Sequence, residues 1–208
     1  MNSKPPLVIV GAGGHGKVVA DAAHAQGGFD TVSFLDDRFE SLPIQIGFPV
    51  IGNDSLIPEL IVQGCQFIIA IGDNDVRAEK YQALCKAGAD LATVIHPSAT
   101  VASSVRLGRG VVVLAGAIIN ASATVADNVI INTGAIVEHD CYIGANTHIA
   151  PKSALTGGCS VGESCLIGVG ASVIPGKTIG NRVTVGAGAA VTQNIPDNHV
   201  AIGVPARW

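Results

Sequence analysis

From Ile95 to Val191 an aliphatic residue recurs at every sixth position without one insertion. The series runs Ile95, Val101, Leu107, Val113, Ile119, Val125, Ile131, Val137, Ile143, Ile149, Leu155, Val161, Ile167, Val173, Ile179, Val185 and Val191, seventeen hexads in phase. A helix repeats its apolar face every 3.6 residues and a strand every two, so neither explains a period of six. A repeated hexapeptide is the mark of a solenoid. Each hexad supplies a short strand and a turn, and three hexads close a triangular coil. Every aliphatic side chain then points inward and stacks on its counterpart eighteen residues away. Strands stacked at about 4.8 Å per coil predict a prism roughly 25–30 Å long.

The second half of each hexad agrees. Four residues after the aliphatic position come mostly small side chains, among them Ala117, Ala123, Ala135, Cys141, Ser153, Cys159, Cys165 and Ala171. A tight corner inside a prism requires them, and Lys177 is the exception. Glycine often follows the aliphatic position directly, as at Gly108, Gly144, Gly162, Gly168, Gly180 and Gly186, where a turn can use its freedom in φ.

Composition narrows the function classes. The chain has 26 glycines and only 13% charged residues, yet it is rich in Val and Ile, which excludes disorder. A net charge of −4 argues against a nucleic-acid binder. No apolar run is long enough for a membrane span, and no signal peptide is visible. Five cysteines without paired spacing suggest reduced thiols and a cytoplasmic protein.

Residues 1–94 read as a small α/β unit. Leu7–Val10 is a strand, followed by a glycine loop and a helix over Lys17–Gln26 with an apolar stripe of Val18, Val19, Ala22 and Ala23. Further strands are expected at Thr31–Leu35, Gln66–Ile71 and Leu91–Ile95. Helices are expected after Asn53 through Val62, and over Val76–Ala87 with Gly88 as the stop. Gly11-x-Gly13-x-x-Gly16 matches the dinucleotide fingerprint, with Asp36 twenty residues beyond Gly16. Ninety residues are too few for two mononucleotide halves, and backbone N–H groups at a helix N-terminus hold any phosphate. A nucleoside diphosphate linked to a sugar therefore fits as well as NAD, which is set aside.

His139 is the leading candidate for chemistry. With Val137 and Cys141 inward by the period, its ring belongs on the outer surface or near a corner. Imidazole suits a general base at neutral pH, and Asp140 or Glu138 can accept a hydrogen bond from its other nitrogen. Metal sites need three or four converging ligands, which no Cys or His cluster supplies, so no metal is expected.

The hexads, Gly11–Gly16, Asn132 through Pro151 and Gly203–Arg207 together resemble the nucleotide-amino-sugar N-acetyltransferases. These include the bacillosamine-pathway and perosamine enzymes and the related sialic-acid O-acetyltransferase-like proteins. The resemblance implies a Rossmann-like α/β domain over 1–94 followed by a left-handed parallel β-helix over 95–208. It also implies a homotrimer, with acetyl-CoA in the groove between two β-helices. His139 and Asp140 match the family's catalytic histidine and its acidic neighbour, with Glu138 flanking. By the same resemblance His148 and Gly157 lie by the thioester, where the Gly157 N–H meets its carbonyl. Gly186, Ala187 and Gly188 would contact the pantetheine arm, and Pro205 and Arg207 the distal end. Gly13, Gly14 and His15 would cradle the nucleotide sugar. Asp36, Asp37 and Arg38 would contact the nucleoside, Gly72, Asp73 and Asn74 would line the base pocket, and Asn132 would lie near the sugar. The implied reaction moves acetyl from acetyl-CoA to the 4-amino group of a nucleotide-linked 4-amino-4,6-dideoxy sugar. The nucleotide stays open among UDP, GDP and dTDP. O-acetylation of a sugar hydroxyl and a non-catalytic β-helix are the alternatives.

Overall fold

Leu7–Val10 (β1) is apolar at every position because it runs through the centre of a sheet covered on both faces. In the computed structural model, which describes residues 4–42 and 44–208, the glycine loop leads from β1 into helix α1 (Gly14–Gln26). Then follow β2 (Val32–Leu35), β3 (Ile44–Gln45), β4 (Phe48–Gly52), α2 (Ile57–Val62), β5 (Gln66–Ile69), α3 (Asn74–Lys86) and β6 (Asp90–Leu91). The sheet order is β3-β4-β2-β1-β5-β6, parallel throughout except for the short β3–β4 hairpin. One face packs under α1, through Val19, Ala20, Ala22 and Ala23. The other packs under α2 and α3, through Leu60 and Leu84.

Several local expectations change. Helix α1 starts at Gly14, not Lys17, because the glycine loop itself forms the first turn. Gly16 is required there, since a Cβ would collide with the Gly11 carbonyl. Val18 is exposed, and Ala20 takes its place in the buried stripe. The β3–β4 hairpin has no counterpart in the sequence reading. Leu91–Ile95 is not one strand: β6 completes the α/β sheet, while Val94–Ile95 pairs with Val112–Val113 as the first rung of the solenoid.

All seventeen hexads form two-residue strands whose second residue is the aliphatic one. Together with Val200–Ala201 they stack into three parallel sheets of seven, six and five strands. The register advances by eighteen, as in Val113↔Ile131↔Ile149↔Ile167↔Val185. It breaks only at the end, where Val185 pairs with Ala201. From Val113 onward the aliphatic positions are at most 1% exposed. Lys177 departs from the small-residue rule without breaking the ladder, since its carbonyl still accepts from the Ser160 N–H at 2.9 Å.

The role of the glycines differs from the expectation. Those directly after the aliphatic residue do not use positive φ; they are needed because coils touch there. A Cβ on Gly144 would lie 2.5 Å from the Gly162 carbonyl carbon. The left-handed backbone occurs two residues later, at Gly110, Gly116, Gly134, Gly158, Gly170, Gly176 and Gly188, and equally at Ser122, Asn128, Asp140, Asn146, Lys152, Ser164 and Arg182.

Candidate active site

The three sheets give the prism three outer faces with different fates. The face bearing Val94, Val112, Ile130 and His148 lies under the α/β domain, whose core continues into Val94, Val112 and Leu114. The face bearing Arg106, Thr124, Tyr142, Ser160 and Thr178 is polar but for Tyr142. The remaining face presents Thr100, Ile118, Ile136, Ala154, Ser172 and Ala190.

His139 sits on the corner between the last two faces, exposed as the spacing requires. Its Nδ1 is 2.8 Å from Asp140 Oδ2, and its backbone N–H donates to Glu138 Oε2 at 3.3 Å. Asp140 can turn its carboxylate to the ring because it occupies the left-handed corner position, at φ 59°. Its hydrogen bond raises the His139 pKa above the ordinary 6.5. One coil along the same corner, Gly157 lies under the ring: a Cβ there would be 2.5 Å from His139 Cε1 and Nε2. The Gly157 N–H has no acceptor among the described residues. The structure thus brings together His139, Asp140, Glu138 and Gly157.

His148 is elsewhere, in the seam with the α/β domain. It faces His15 of the glycine loop with ring centroids 6.3 Å apart, and its Nε2 is 2.9 Å from Asn132 Nδ2. Burial, with Arg77 close by, lowers both histidines to about 4, so both are neutral at pH 7. The buried Nε2 of His15 has no hydrogen-bond partner among the described residues. Arg77, fully buried on α3, ties the domains together by donating to the carbonyls of Ile71, Asn128 and Asn146 and to Asn74 Oδ1. Arg77 escaped the sequence reading, because a lone arginine in a helical stripe carries no signal of burial.

Asp36, at the end of β2, accepts from the Ala12 N–H at 2.9 Å and from the Arg38 side chain. These bonds hold its carboxyl well below the usual carboxylate range. Asp36, Asp37 and Arg38 line a cleft of about 310 Å³ over the carboxyl ends of the parallel strands, together with Gly11, Asp54 and Lys80. Gly72, Asp73 and Asn74 border a second cleft of about 280 Å³, shared with Ser164, Leu166, Arg182 and Thr184 of the β-helix. Asp73 caps α3, accepting from Asp75 and Val76, and Asn74 donates to the Cys165 carbonyl. Gly13 and Gly14 open α1, as Ncap and first helical residue.

Gly186, Ala187 and Gly188 lie on the same prism corner as Asn132, one corner away from His139. Pro205 and Arg207 are exposed at the open end, where Ile202 and Arg207 bond each other's backbones.

Comparisons with known proteins agree with this architecture. Residues 6–84 match the PglD N-terminal domain, and residues 122–157 match the bacterial transferase hexapeptide (six repeats). The UDP-N-acetylbacillosamine N-acetyltransferase of Bacillus subtilis (strain 168) is 41% identical over 111 residues, 52% of this chain and 51% of that protein. The match thus spans about half the length of that curated relative. PerB from Caulobacter crescentus, solved with CoA and GDP-perosamine, is 48% identical over 97% of this chain and 96% of its own, with TM-score 0.92. The acetyltransferase domain of PglB from Neisseria gonorrhoeae FA1090, solved with acetyl coenzyme A, is 40% identical over 99% of both chains, with TM-score 0.95. With an α/β domain seated on a left-handed hexapeptide β-helix, and near-complete alignment to these structures, the chain belongs to the hexapeptide-repeat nucleotide-sugar N-acetyltransferases.

Proposed function

We propose that the protein transfers acetyl from acetyl-CoA to the 4-amino group of a nucleotide-linked 4-amino-4,6-dideoxy sugar. The observation that carries this reading is the His139–Asp140 pair set against Gly157 on an exposed corner. Asp140 orients the imidazole, leaving Nε2 as the proton acceptor. As the amine nitrogen attacks the thioester carbonyl, its proton passes to His139 Nε2. The carbon–sulfur bond breaks to release the thiolate, which takes a proton back from the imidazolium and leaves as the thiol. The free Gly157 N–H is the donor for the carbonyl oxygen as charge develops there. Glu138 holds the corner through the His139 amide. The small side chains of Gly186–Gly188, and the Ala187 N–H, which has no acceptor among the described residues, suit the approach of a pantetheine arm, and Arg207 with Pro205 the distal phosphates. CoA and GDP-perosamine bound to the Caulobacter protein, and acetyl-CoA bound to the Neisseria domain, support both ligands.

The acceptor half of the site is the glycine loop with Gly13, Gly14 and His15, the Asp36–Arg38 cleft, the Gly72–Asn74 edge and Asn132. The unpartnered Nε2 of His15 supports a ligand there. Within one chain this half lies in the seam and His139 lies on another corner of the prism. A second copy unites them. The Ile118–Ile136–Ala154 face, uncovered by the chain's own α/β domain and half-buried at these residues, is the surface for that contact, and a trimer of prisms places one site at each seam. Five free cysteines fit a cytoplasmic enzyme.

The test supplies acetyl-CoA with UDP-, GDP- and dTDP-linked 4-amino sugars and follows free thiol and product mass. N-acetylated sugar is the expected product. His139→Ala is expected to lower kcat at least about 100-fold with little change in acetyl-CoA affinity. Turnover of that variant within about threefold of the parent would remove His139 as the base.

A further inference from the structure

The Asp36 cleft holds a pair of side chains that the reaction itself does not use. Asp54 follows β4 in a 3₁₀ turn, and Lys80 projects from α3. They form an ion pair between Lys80 Nζ and Asp54 Oδ2, and each side chain is 33% exposed. Both line the cleft. Asp54 Oδ1 accepts no hydrogen bond among the described residues, and the ammonium keeps donors to spare. Asp36 is already held by Ala12 and Arg38, next to the glycine loop. That end suits the ribose and diphosphate, and the Asp54–Lys80 pair lines the same cleft.

We infer that Asp54 and Lys80 read the base of the nucleotide sugar, and that this base is guanine; the inference rests on the nucleotide-sugar reading above. The pair presents, in order, an ammonium donor, the carboxylate oxygen beside it and the free carboxylate oxygen. Guanine presents the matching series along its Watson–Crick edge: the O6 acceptor, the N1–H donor and the N2–H donor. Uracil and thymine offer O4, N3–H and O2, so their last oxygen would face a carboxylate oxygen. Cytosine and adenine place an amino group against the ammonium. A mismatched base leaves a charged group opposed or unpaired, and such errors discriminate more strongly than lost apolar contact.

The experiment titrates the full-length protein with GDP, IDP, UDP and dTDP by calorimetry. GDP is expected to bind about tenfold or more tighter than UDP or dTDP, the discrimination typical of a bidentate base contact. IDP lacks the 2-amino group and is expected to bind about tenfold more weakly than GDP. In Asp54→Asn an amide N–H can meet the 2-oxo group of xanthine, so preference is expected to move from GDP to XDP. UDP or dTDP binding more tightly than GDP, or IDP binding as well as GDP, would overturn the guanine assignment and leave the nucleotide site standing. GDP preference kept in Asp54→Asn, with no gain of XDP, would remove Asp54 as its reader. If no nucleoside diphosphate binds, the nucleotide-sugar reading falls as well.

Discussion

In the proposed mechanism Asp140 satisfies a backbone and a reaction at once. Its corner needs a left-handed φ, which Asp and Asn tolerate better than other non-glycine residues. The same geometry turns its carboxylate onto His139 Nδ1. Imidazole accepts a proton only when neutral, so kcat/KM is expected to rise with pH through the His139 pKa, which Asp140 holds above 6.5. Asp140→Asn keeps the left-handed corner but removes the charge. The rising limb of the pH–rate profile is then expected to move to lower pH, and the plateau to fall about tenfold because the base is weaker. An unshifted limb would mean that Asp140 does not set the titration. His139 was visible in the sequence because the hexad period pointed its neighbours inward. Arg77, Asp54 and Lys80 were not, because their meaning comes from contacts 26 to 69 residues away.

At the scale of elements, the β-helix separates two uses of glycine that composition merges. Gly144 is packed against the next coil, with the Gly162 carbonyl carbon 2.5 Å from where its Cβ would stand. Gly116 has φ 67° and its nearest neighbour at 4.0 Å. Gly144→Ala must push two rungs apart and is expected to cost about 1–3 kcal/mol or more. Gly116→Asn meets no atom and adopts a left-handed conformation that Asn tolerates, so it is expected to cost under about 1 kcal/mol. Denaturant unfolding of the two variants checks the order; equal losses would show that φ, not rung contact, sets the demand. The periodicity located all seventeen hexad strands, since a period of six over seventeen repeats has no competing solution, but not the closing strand Val200–Ala201. It left out the β3–β4 hairpin, two short strands joined by Ile46 and Gly47, because so short a segment has no period to detect.

In the whole molecule, Arg77 couples the α/β domain to the solenoid. Although burial lowers its pKa to about 10, it remains charged at pH 7. It makes its hydrogen bonds to carbonyls and an amide, not to a carboxylate. Arg77→Met would leave the Ile71, Asn128 and Asn146 carbonyls without this donor, at about 1–3 kcal/mol for each one left unsatisfied. The α/β domain is then expected to melt separately, giving two calorimetric transitions in place of one; a single unchanged transition would show that the apolar seam suffices. The separation of His139 from the acceptor half makes a second prediction. If the proposed trimer forms, His139→Ala and Asp36→Ala chains refolded together are expected to recover activity that neither variant has alone. No recovery would place both halves of the site in one protomer.

The sequence by itself determined the solenoid, its inward positions and the exposure of His139, because each follows from a strict local repeat. The packing of an aliphatic every sixth residue can be satisfied in only one kind of coil. Spacing did not determine the coil's hand, which came from resemblance. Only the tertiary structure decided which glycines serve contact and which serve φ, that His148 meets His15 in the seam and not Gly157 on the corner, and that Arg77, Asp54 and Lys80 matter. These depend on which corner of the prism the α/β domain covers. A period repeats identically around all three corners and cannot choose between them; the buried apolar contacts of α1 with Val94, Val112 and Leu114 make that choice.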